Sequence, residues 1–245
     1  MKLFSLIGYP LSHSFSPRYF RQKFRRLGLE DYRYTLREME KLDGLRDWVE
    51  ATPELAGFNV TIPHKEAILP LLDEVSEEAR RIGAVNTVRL EKGRLRGFNT
   101  DYYGFRESLL HWLPMQNKPE KALILGSGGA SKAVRAVFRE LGFPFRIVSR
   151  SAERGDLTYA ELHASHLKEF RLLINTTPLG MAPEVDRCPQ LPYSALGAEH
   201  WLYDLVYNPA HTLFMQQGAR QGAQVKNGEE MLILQAERAW EIWEK

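Results

Sequence analysis

The run Gly126-Ser127-Gly128-Gly129-Ala130 has the most legible chemical spacing in this sequence. It follows the apolar stretch Ala122–Leu125 and precedes a helical pattern at 131–141. A pyrophosphate needs backbone N–H groups and the positive end of a helix close by, and side chains obstruct that approach. Gly126 turns the chain, Gly128 admits the pyrophosphate, and Gly129 or Ala130 permits tight helix packing, with Ala133 closing a G-x-G-G-x-x-x-A variant of the dinucleotide fingerprint. The competing reading is a plain tight turn before a helix. The strand pattern before, the helix after and a second strand at 146–149 favour the fingerprint.

Charge then argues for the cofactor. NAD enzymes place an acid at the end of the second strand to bind the ribose 2′-hydroxyl. Here that end reads Ile147-Val148-Ser149-Arg150-Ser151, with Arg150 22 residues beyond Gly128 and Glu153 further out. Arginine makes charge-assisted bonds to phosphate, so NADP is favoured over NAD, with Arg154 as a second cation. The plainer alternative is a solvated arginine.

Lys65, beyond Pro63 and His64, and Asp101, after Asn99-Thr100, form a further candidate pair. A lysine held near a carboxylate can exchange a proton with an oxygen whose carbon changes oxidation state. Spacing alone does not reveal the pair, and ordinary surface Lys and Asp are the commoner case. In the hydroxyl-rich loop at 12–17, Ser14 and Ser16 could bond a carboxylate, but Ser16 is read first as the cap of a helix starting at Pro17. His163 and His166 have helical spacing but no clear third ligand, so they read as a solvated pair and no metal is expected. Met231, Leu232, Leu234, Trp240 and Trp243 read as packing residues, with Met231 also a candidate to face the cofactor.

The elements that must position these residues follow from hydrophobic period. Strands are expected at 3–7, 32–36, 57–62, 84–90 and 94–98, with a Lys92-Gly93 hairpin turn. Helices are expected at 17–27 and 42–50, and 67–82 reads as mostly helical. After a linker at 113–120, strands at 122–125, 146–149, 172–175, 201–206 and 224–226 alternate with helices, which implies a parallel sheet buried on both faces. A last helix spans 229–243.

The 245 residues carry 33 Lys and Arg against 31 Asp and Glu, a net +2 that points to neither nucleic acid nor an anionic membrane. Cys188 is the single cysteine, so no internal disulfide and no cysteine-based zinc site can form. A reducing cytoplasm fits. The N-terminal MKLFSLIGYPLSHS is broken too early by Gly8 and Pro10 for a signal peptide, and no apolar run approaches the ~20 residues of a membrane helix.

Taken in order, the motifs resemble the shikimate dehydrogenase family over nearly the whole chain. They are GYPLSHSFSP at 8–17, FNVTIPHK at 58–65, GAVNT at 83–87, NTD at 99–101, GSGGASKA at 126–133, NTTPLGM at 175–181, YDLVYNP at 203–209 and MLILQA at 231–236. The resemblance implies an α/β fold with an N-terminal substrate-binding domain (1–101), a Rossmann-type NADP-binding domain (102–227) and a C-terminal helix (228–245) returning to the first domain. It implies reversible, NADPH-dependent reduction of 3-dehydroshikimate to shikimate by a cytoplasmic monomer or homodimer.

By the same resemblance Lys65 and Asp101 are the catalytic pair, and Ser14, Ser16 and Tyr207 hold the substrate carboxylate. Asn59, Thr61, Asn86 and Gln235 bind the ring hydroxyls. Gly126, Ser127, Gly128, Gly129, Ala130, Arg150 and Ser151 match the phosphate-binding positions, Ser149 and Arg154 join the cofactor set by their place beside Arg150, and Leu205 and Gly228 match positions lining the nicotinamide. Phe20, Ser149, Ser151 and His64 depart from the family's usual residues. Three rivals are a quinate/shikimate dehydrogenase using NAD, a non-catalytic NADP-binding sensor and an S-adenosylmethionine methyltransferase. Ser14, Ser16 and Arg150 weigh against the first, Lys65 with Asp101 against the second, and Arg150 against the third.

Overall fold

The computed structural model describes residues 1–11, 14–113, 116 and 119–245. Its elements in chain order are β1 (Lys2–Gly8), α1 (Ser16–Arg26), β2 (Tyr32–Glu38), α2 (Leu45–Glu50), β3 (Leu55–Val60), β4 (Glu74–Val75), α3 (Glu77–Ile82), β5 (Thr87–Glu91), β6 (Arg94–Phe98) and α4 (Thr100–Trp112). They continue with β7 (Ala122–Leu125), α5 (Gly129–Glu140), β8 (Phe145–Ser149), β9 (Leu157–Thr158), α6 (Ala164–Glu169), β10 (Leu172–Asn175), β11 (Trp201–Asp204), α7 (Leu213–Arg220), β12 (Gln224–Lys226) and α8 (Glu229–Trp243). The chain forms two compact units, Met1–Thr100 with Ala236–Lys245, and Asp101–Gln235.

The first unit is built on a mixed sheet of order β2-β1-β3-β5-β6-β4. β1 pairs in parallel with β2 and β3, and β5 is antiparallel to both β3 and β6. Side chains on one face, including Ile7, Phe58, Val60, Val85 and Leu95, form one core. On the other face Phe4, Phe20 and Phe24 pack with Ala236, Ala239, Ile242 and Trp243 of α8. The last two turns of α8 are therefore part of this unit's core. Trp243 stacks on Phe4 with ring centroids 4.6 Å apart, and its indole N–H donates to the Val88 carbonyl at 3.0 Å.

The stretch at 67–82 is helical in two separate pieces and not as one continuous run. It holds a short helical turn at Leu69–Leu71, strand β4 and only then α3. Two side chains impose the breaks. The Asp73 carboxylate accepts the Leu95 N–H at 2.6 Å and is held by Arg46 at 2.9 Å, which ties the chain to β6. The Ser76 hydroxyl then accepts from the Ala79 N–H at 3.2 Å and caps a new helix. Ser16 does not cap α1: Phe15 holds the cap position, no side chain bonds there, and Ser16 is the first helical residue. Pro17 fits the first turn as expected.

In the second unit every strand pairing is parallel. The order is β12-β11-β10-β7-β8-β9. Counted from β7, this is 3-2-1-4-5-6, and the order reverses between β7 and β10. β7 and β10 are buried along their whole length, as the apolar runs ALIL and LLI require between two helical layers. Helix α4 packs Phe105 against Tyr203 and Phe138, and the Tyr203 hydroxyl donates to Ser108 at 2.7 Å. Among the described residues no helix is long and apolar enough to cross a membrane. Half of the linker expected at 113–120, residues 114, 115, 117 and 118, lies outside the described residues.

Candidate active site

The glycine turn lies where the strand order of the second unit reverses. Gly126 has φ +106°, a conformation L side chains rarely adopt. A Cβ there would also lie 2.7 Å from Thr177 Cγ2 and 2.9 Å from Thr176 Oγ1. Gly128 is the opposite case. Its backbone is extended, and a Cβ would meet nothing within 4 Å. No contact among the described residues calls for glycine there, and the space in front of it is open.

No side chain caps α5, and the N–H groups of Gly128, Gly129 and Ala130 meet no acceptor among the described residues. Twelve residues of aligned peptide dipoles thus end on free donors. The Ser127 hydroxyl bonds that of Ser149 at 3.0 Å, which ties the turn to the end of β8. Ser151 N–H reaches the same Ser149 oxygen at 3.4 Å. Arg150 and Arg154 project beyond this strand end and are exposed, while Ser151 is half-buried. These candidate cofactor residues form one edge.

Sequence reasoning missed the residue behind that edge. Asp204, at the end of β11, is fully buried. Its carboxylate accepts from Asn175 Nδ2 at 2.9 Å, Thr212 Oγ1 at 2.6 Å and Val206 N–H at 3.0 Å. Asn175 Oδ1 in turn accepts the Thr177 N–H at 3.0 Å and the Thr177 hydroxyl at 2.6 Å. Thr177 is the residue facing Gly126, so one buried carboxylate braces the glycine turn. Burial pushes the Asp204 carboxyl up to about 6, against the pull of its three donors. The NTT and YDL motifs place these residues at the two strand ends, but spacing does not say that they meet.

Asp204 also starts the segment carrying Leu205 and Tyr207. Leu205 N–H donates to Asn175 O at 3.0 Å and Gly228 N–H to Val206 O at 3.1 Å. A Cβ on Gly228 would strike the Leu205 carbonyl oxygen, so Leu205 and Gly228 are packed backbone to backbone. Tyr207 follows, half-buried. On α8 the Gln235 side chain donates to Leu232 O at 3.1 Å, and Gly104 leaves room for its Cβ.

In the first unit the motifs converge at the ends of β1, β3 and β6. Thr61 N–H donates to Ile7 O at 2.8 Å, and Val85 N–H donates to Lys65 O at 2.7 Å. Asn86 Oδ1 accepts the Thr100 N–H at 2.7 Å and its Nδ2 donates to Thr100 Oγ1 at 3.0 Å. Half-buried Lys65 and buried Asn86 are thus set on adjoining backbone, and Asp101 is the next residue after Thr100. Lys65 belongs to the first unit and Asp101 to the second.

Asn59 is buried, its Oδ1 accepting from the Tyr34 hydroxyl at 2.7 Å and its Nδ2 donating to Asn86 O and Thr87 Oγ1 at 3.2 and 3.0 Å. The Ser14 hydroxyl donates to Leu11 O at 2.8 Å, so as placed its proton is already used. Ser12 and His13 of the same loop lie outside the described residues. His166 Nδ1 accepts the His163 N–H at 3.1 Å, so this pair starts α6. His64, buried, bonds Met39 O at 2.6 Å.

A parallel sheet of order 3-2-1-4-5-6 with a bare helix N-terminus at its reversal point defines a Rossmann-type dinucleotide-binding unit, here in one chain with a mixed-sheet α/β unit. Residues 6–88 match the model of the shikimate dehydrogenase substrate binding domain. Over 257 residues, covering 100% of this chain and 93% of the relative, the chain is 40% identical to the shikimate dehydrogenase (NADP(+)) of Clostridium beijerinckii.

Its structure is similar to that of Thermus thermophilus shikimate 5-dehydrogenase in complex with NADP(H) and shikimate, with a TM-score of 0.86 and 36% identity over 99% of this chain and 93% of that one. It is also similar to quinate dehydrogenase from Corynebacterium glutamicum in complex with NAD, with a TM-score of 0.88 and 27% identity over 99% and 93%. The chain belongs to the shikimate dehydrogenase family.

Proposed function

We propose that this protein is an NADP-dependent shikimate dehydrogenase, catalysing the reversible reduction of 3-dehydroshikimate to shikimate in the chorismate route to aromatic amino acids. The observation that carries the reading is the open, uncapped glycine turn beside Arg150, in a chain 40% identical over its full length to an enzyme of that name. The residues present fit the cofactor. Free N–H groups at Gly128, Gly129 and Ala130 face open space suited to a pyrophosphate. Ser127, Ser149, Ser151, Arg150 and Arg154 supply donors and positive charge for a 2′-phosphate. Leu205 and Gly228 line the nicotinamide. When bound, the cofactor exchanges a hydride with the ring carbon that becomes the ketone.

Residues 1–101 and 228–245 form the substrate domain and 102–227 the NADP domain in this reading. Lys65 donates a proton to the developing alkoxide, or stabilises it, and Asp101 keeps the lysine oriented and charged. Ser14, Ser16 and Tyr207 hold the substrate carboxylate. For Ser14 this needs the hydroxyl to turn away from Leu11 O. Asn59, Thr61, Asn86 and Gln235 pair with the ring hydroxyls without adding charge, and an analogue lacking one hydroxyl leaves a buried polar group unpaired.

The enzyme works in the cytoplasm as a monomer or homodimer. A quinate/shikimate dehydrogenase using NAD is the second reading, favoured by the likeness to the Corynebacterium glutamicum structure. Arg150 in place of a ribose-binding acid stands against it.

The test is shikimate-dependent reduction of NADP by the purified protein and by Lys65→Ala. Turnover falls roughly 10²–10⁴-fold in the variant, while the KM for shikimate changes little. A rise in KM with unchanged kcat makes Lys65 a binding residue and overturns its catalytic role.

A further inference from the structure

We propose that Tyr34 is a positioning residue for the substrate: it pins the oxygen of an Asn59 amide whose orientation Asn86 and Thr87 already set, so that Asn59 faces the substrate through one remaining lone pair, as a hydrogen-bond acceptor only. The inference rests on the proposed function, which gives Asn59 a substrate hydroxyl to bind, and adds a residue outside the family motifs of the first unit.

An asparagine amide offers two donors and one oxygen with two lone pairs. Both donors of Asn59 are spent inside the protein, on Asn86 O at 3.2 Å and Thr87 Oγ1 at 3.0 Å. One lone pair takes the Tyr34 hydroxyl proton at 2.7 Å. The remaining lone pair is the whole of the capacity left for a ligand. The opposite amide orientation is excluded by its partners, since it would set the amide oxygen against the Asn86 carbonyl oxygen, which has no proton to give. Asn59 is therefore built to accept a hydrogen bond from a ring hydroxyl, and it offers nothing to an ether or a ketone.

Tyr34 is itself held for this task. It is 9% exposed, on β2, next to β1 and two strands from Asn59 on β3. Phe20 of α1 lies flat on its ring, with centroids 4.6 Å apart and planes 10° from parallel. Trp243 packs from another side at 6.3 Å. Between these rings the phenol hydroxyl donates to Asn59, and the Ser16 side chain is its other hydrogen-bond partner. The Tyr34 pKa is raised well above its usual value by burial, so it stays a donor throughout the working range.

Without the Tyr34 proton Asn59 keeps its contacts to Asn86 and Thr87 but loses the bond that fixes its oxygen. The phenylalanine variant keeps the ring, the stack and the volume. Tyr34→Phe, Asn59→Ala and the double variant are compared by steady-state kinetics with shikimate and NADP, with melting temperatures as a check on folding. Tyr34→Phe is expected to raise the KM for shikimate about tenfold, about 1.4 kcal/mol for one neutral hydrogen bond, and to leave the KM for NADP within about twofold. In the Asn59→Ala background, Tyr34→Phe is expected to add nothing, because its effect runs through that amide.

An unchanged shikimate KM in Tyr34→Phe, with Asn59→Ala impaired, overturns the role of Tyr34 and leaves the proposed function standing. Effects that multiply in the double variant also overturn it, by making Tyr34 a separate structural support. If Asn59→Ala itself leaves the shikimate KM unchanged, Asn59 does not bind substrate, and the role of Tyr34 falls with it.

Discussion

Asp204 carries the sharpest consequence for pH. Its carboxyl is pushed from the usual 3.8 up to about 6 because burial outweighs the donors from Thr212, Val206 and Asn175. Between those values the folded protein holds a proton that the unfolded chain has released, so stability falls as pH rises through the window. The gap between 3.8 and about 6 corresponds to about 3 kcal/mol, lost in full above about pH 6. Asp204→Asn removes the titration and keeps most of the network. Its oxygen can still accept from Asn175 and Val206, and the Thr212 hydroxyl can turn to accept from the new amide.

The carboxylates of Asp73, Glu161, Glu169, Glu230 and Glu237, whose pKa values are lowered, act in the opposite sense, but they are common to both proteins and cancel in the difference. Urea unfolding at about pH 4.5 and about pH 7.5 reads the effect. Relative to the parent, Asp204→Asn should gain about 2 kcal/mol between the two pH values. A difference independent of pH would refute the reasoning and mean that the three donors fully offset burial.

Two further predictions concern the cofactor edge. Arg150→Ala should raise the KM for NADP by roughly 10–100-fold, the worth of hydrogen bonds to a charged group, and leave the KM for NAD nearly unchanged. Equal effects on both cofactors would remove Arg150 from 2′-phosphate recognition. Gly126→Ala combines a left-handed backbone with a Cβ 2.7 Å from Thr177 Cγ2, so it should weaken NADP binding at least about tenfold, measured by titration, and lower the melting temperature. Binding equal to the parent's would show that the turn can relax.

Hydrophobic period revealed the elements whose sequences are self-consistent. The runs ALIL and LLIN coincide with β7 and β10, and the pattern at 229–243 coincides with α8. Lys92-Gly93 forms the expected turn between β5 and β6, with both residues at positive φ, 51° and 76°. The period misled at 67–82, where apolar residues recur at helical spacing but Asp73 and Ser76 spend their side chains on strand pairing and a cap.

Residue type misled at Ser16, which favours caps, because Phe15 takes that position. Asp204 stands 29 residues from Asn175 and 8 from Thr212, and its role arises only when the parallel strands align their ends. Tyr34 lies inside the strand expected at 32–36, and nothing there singles it out, since what its hydroxyl meets belongs to β3. Such roles depend on tertiary register, which a local pattern does not contain.

The most direct test of the central claim is initial-rate oxidation by the purified protein, followed by nicotinamide absorbance in four pairings: shikimate or quinate, each with NADP or NAD. High kcat/KM for shikimate with NADP, well above the other three, is the predicted result. Comparable rates with quinate or NAD would move the chain to the broader quinate/shikimate group. No turnover in any pairing, from folded protein that still binds NADP, would contradict the account.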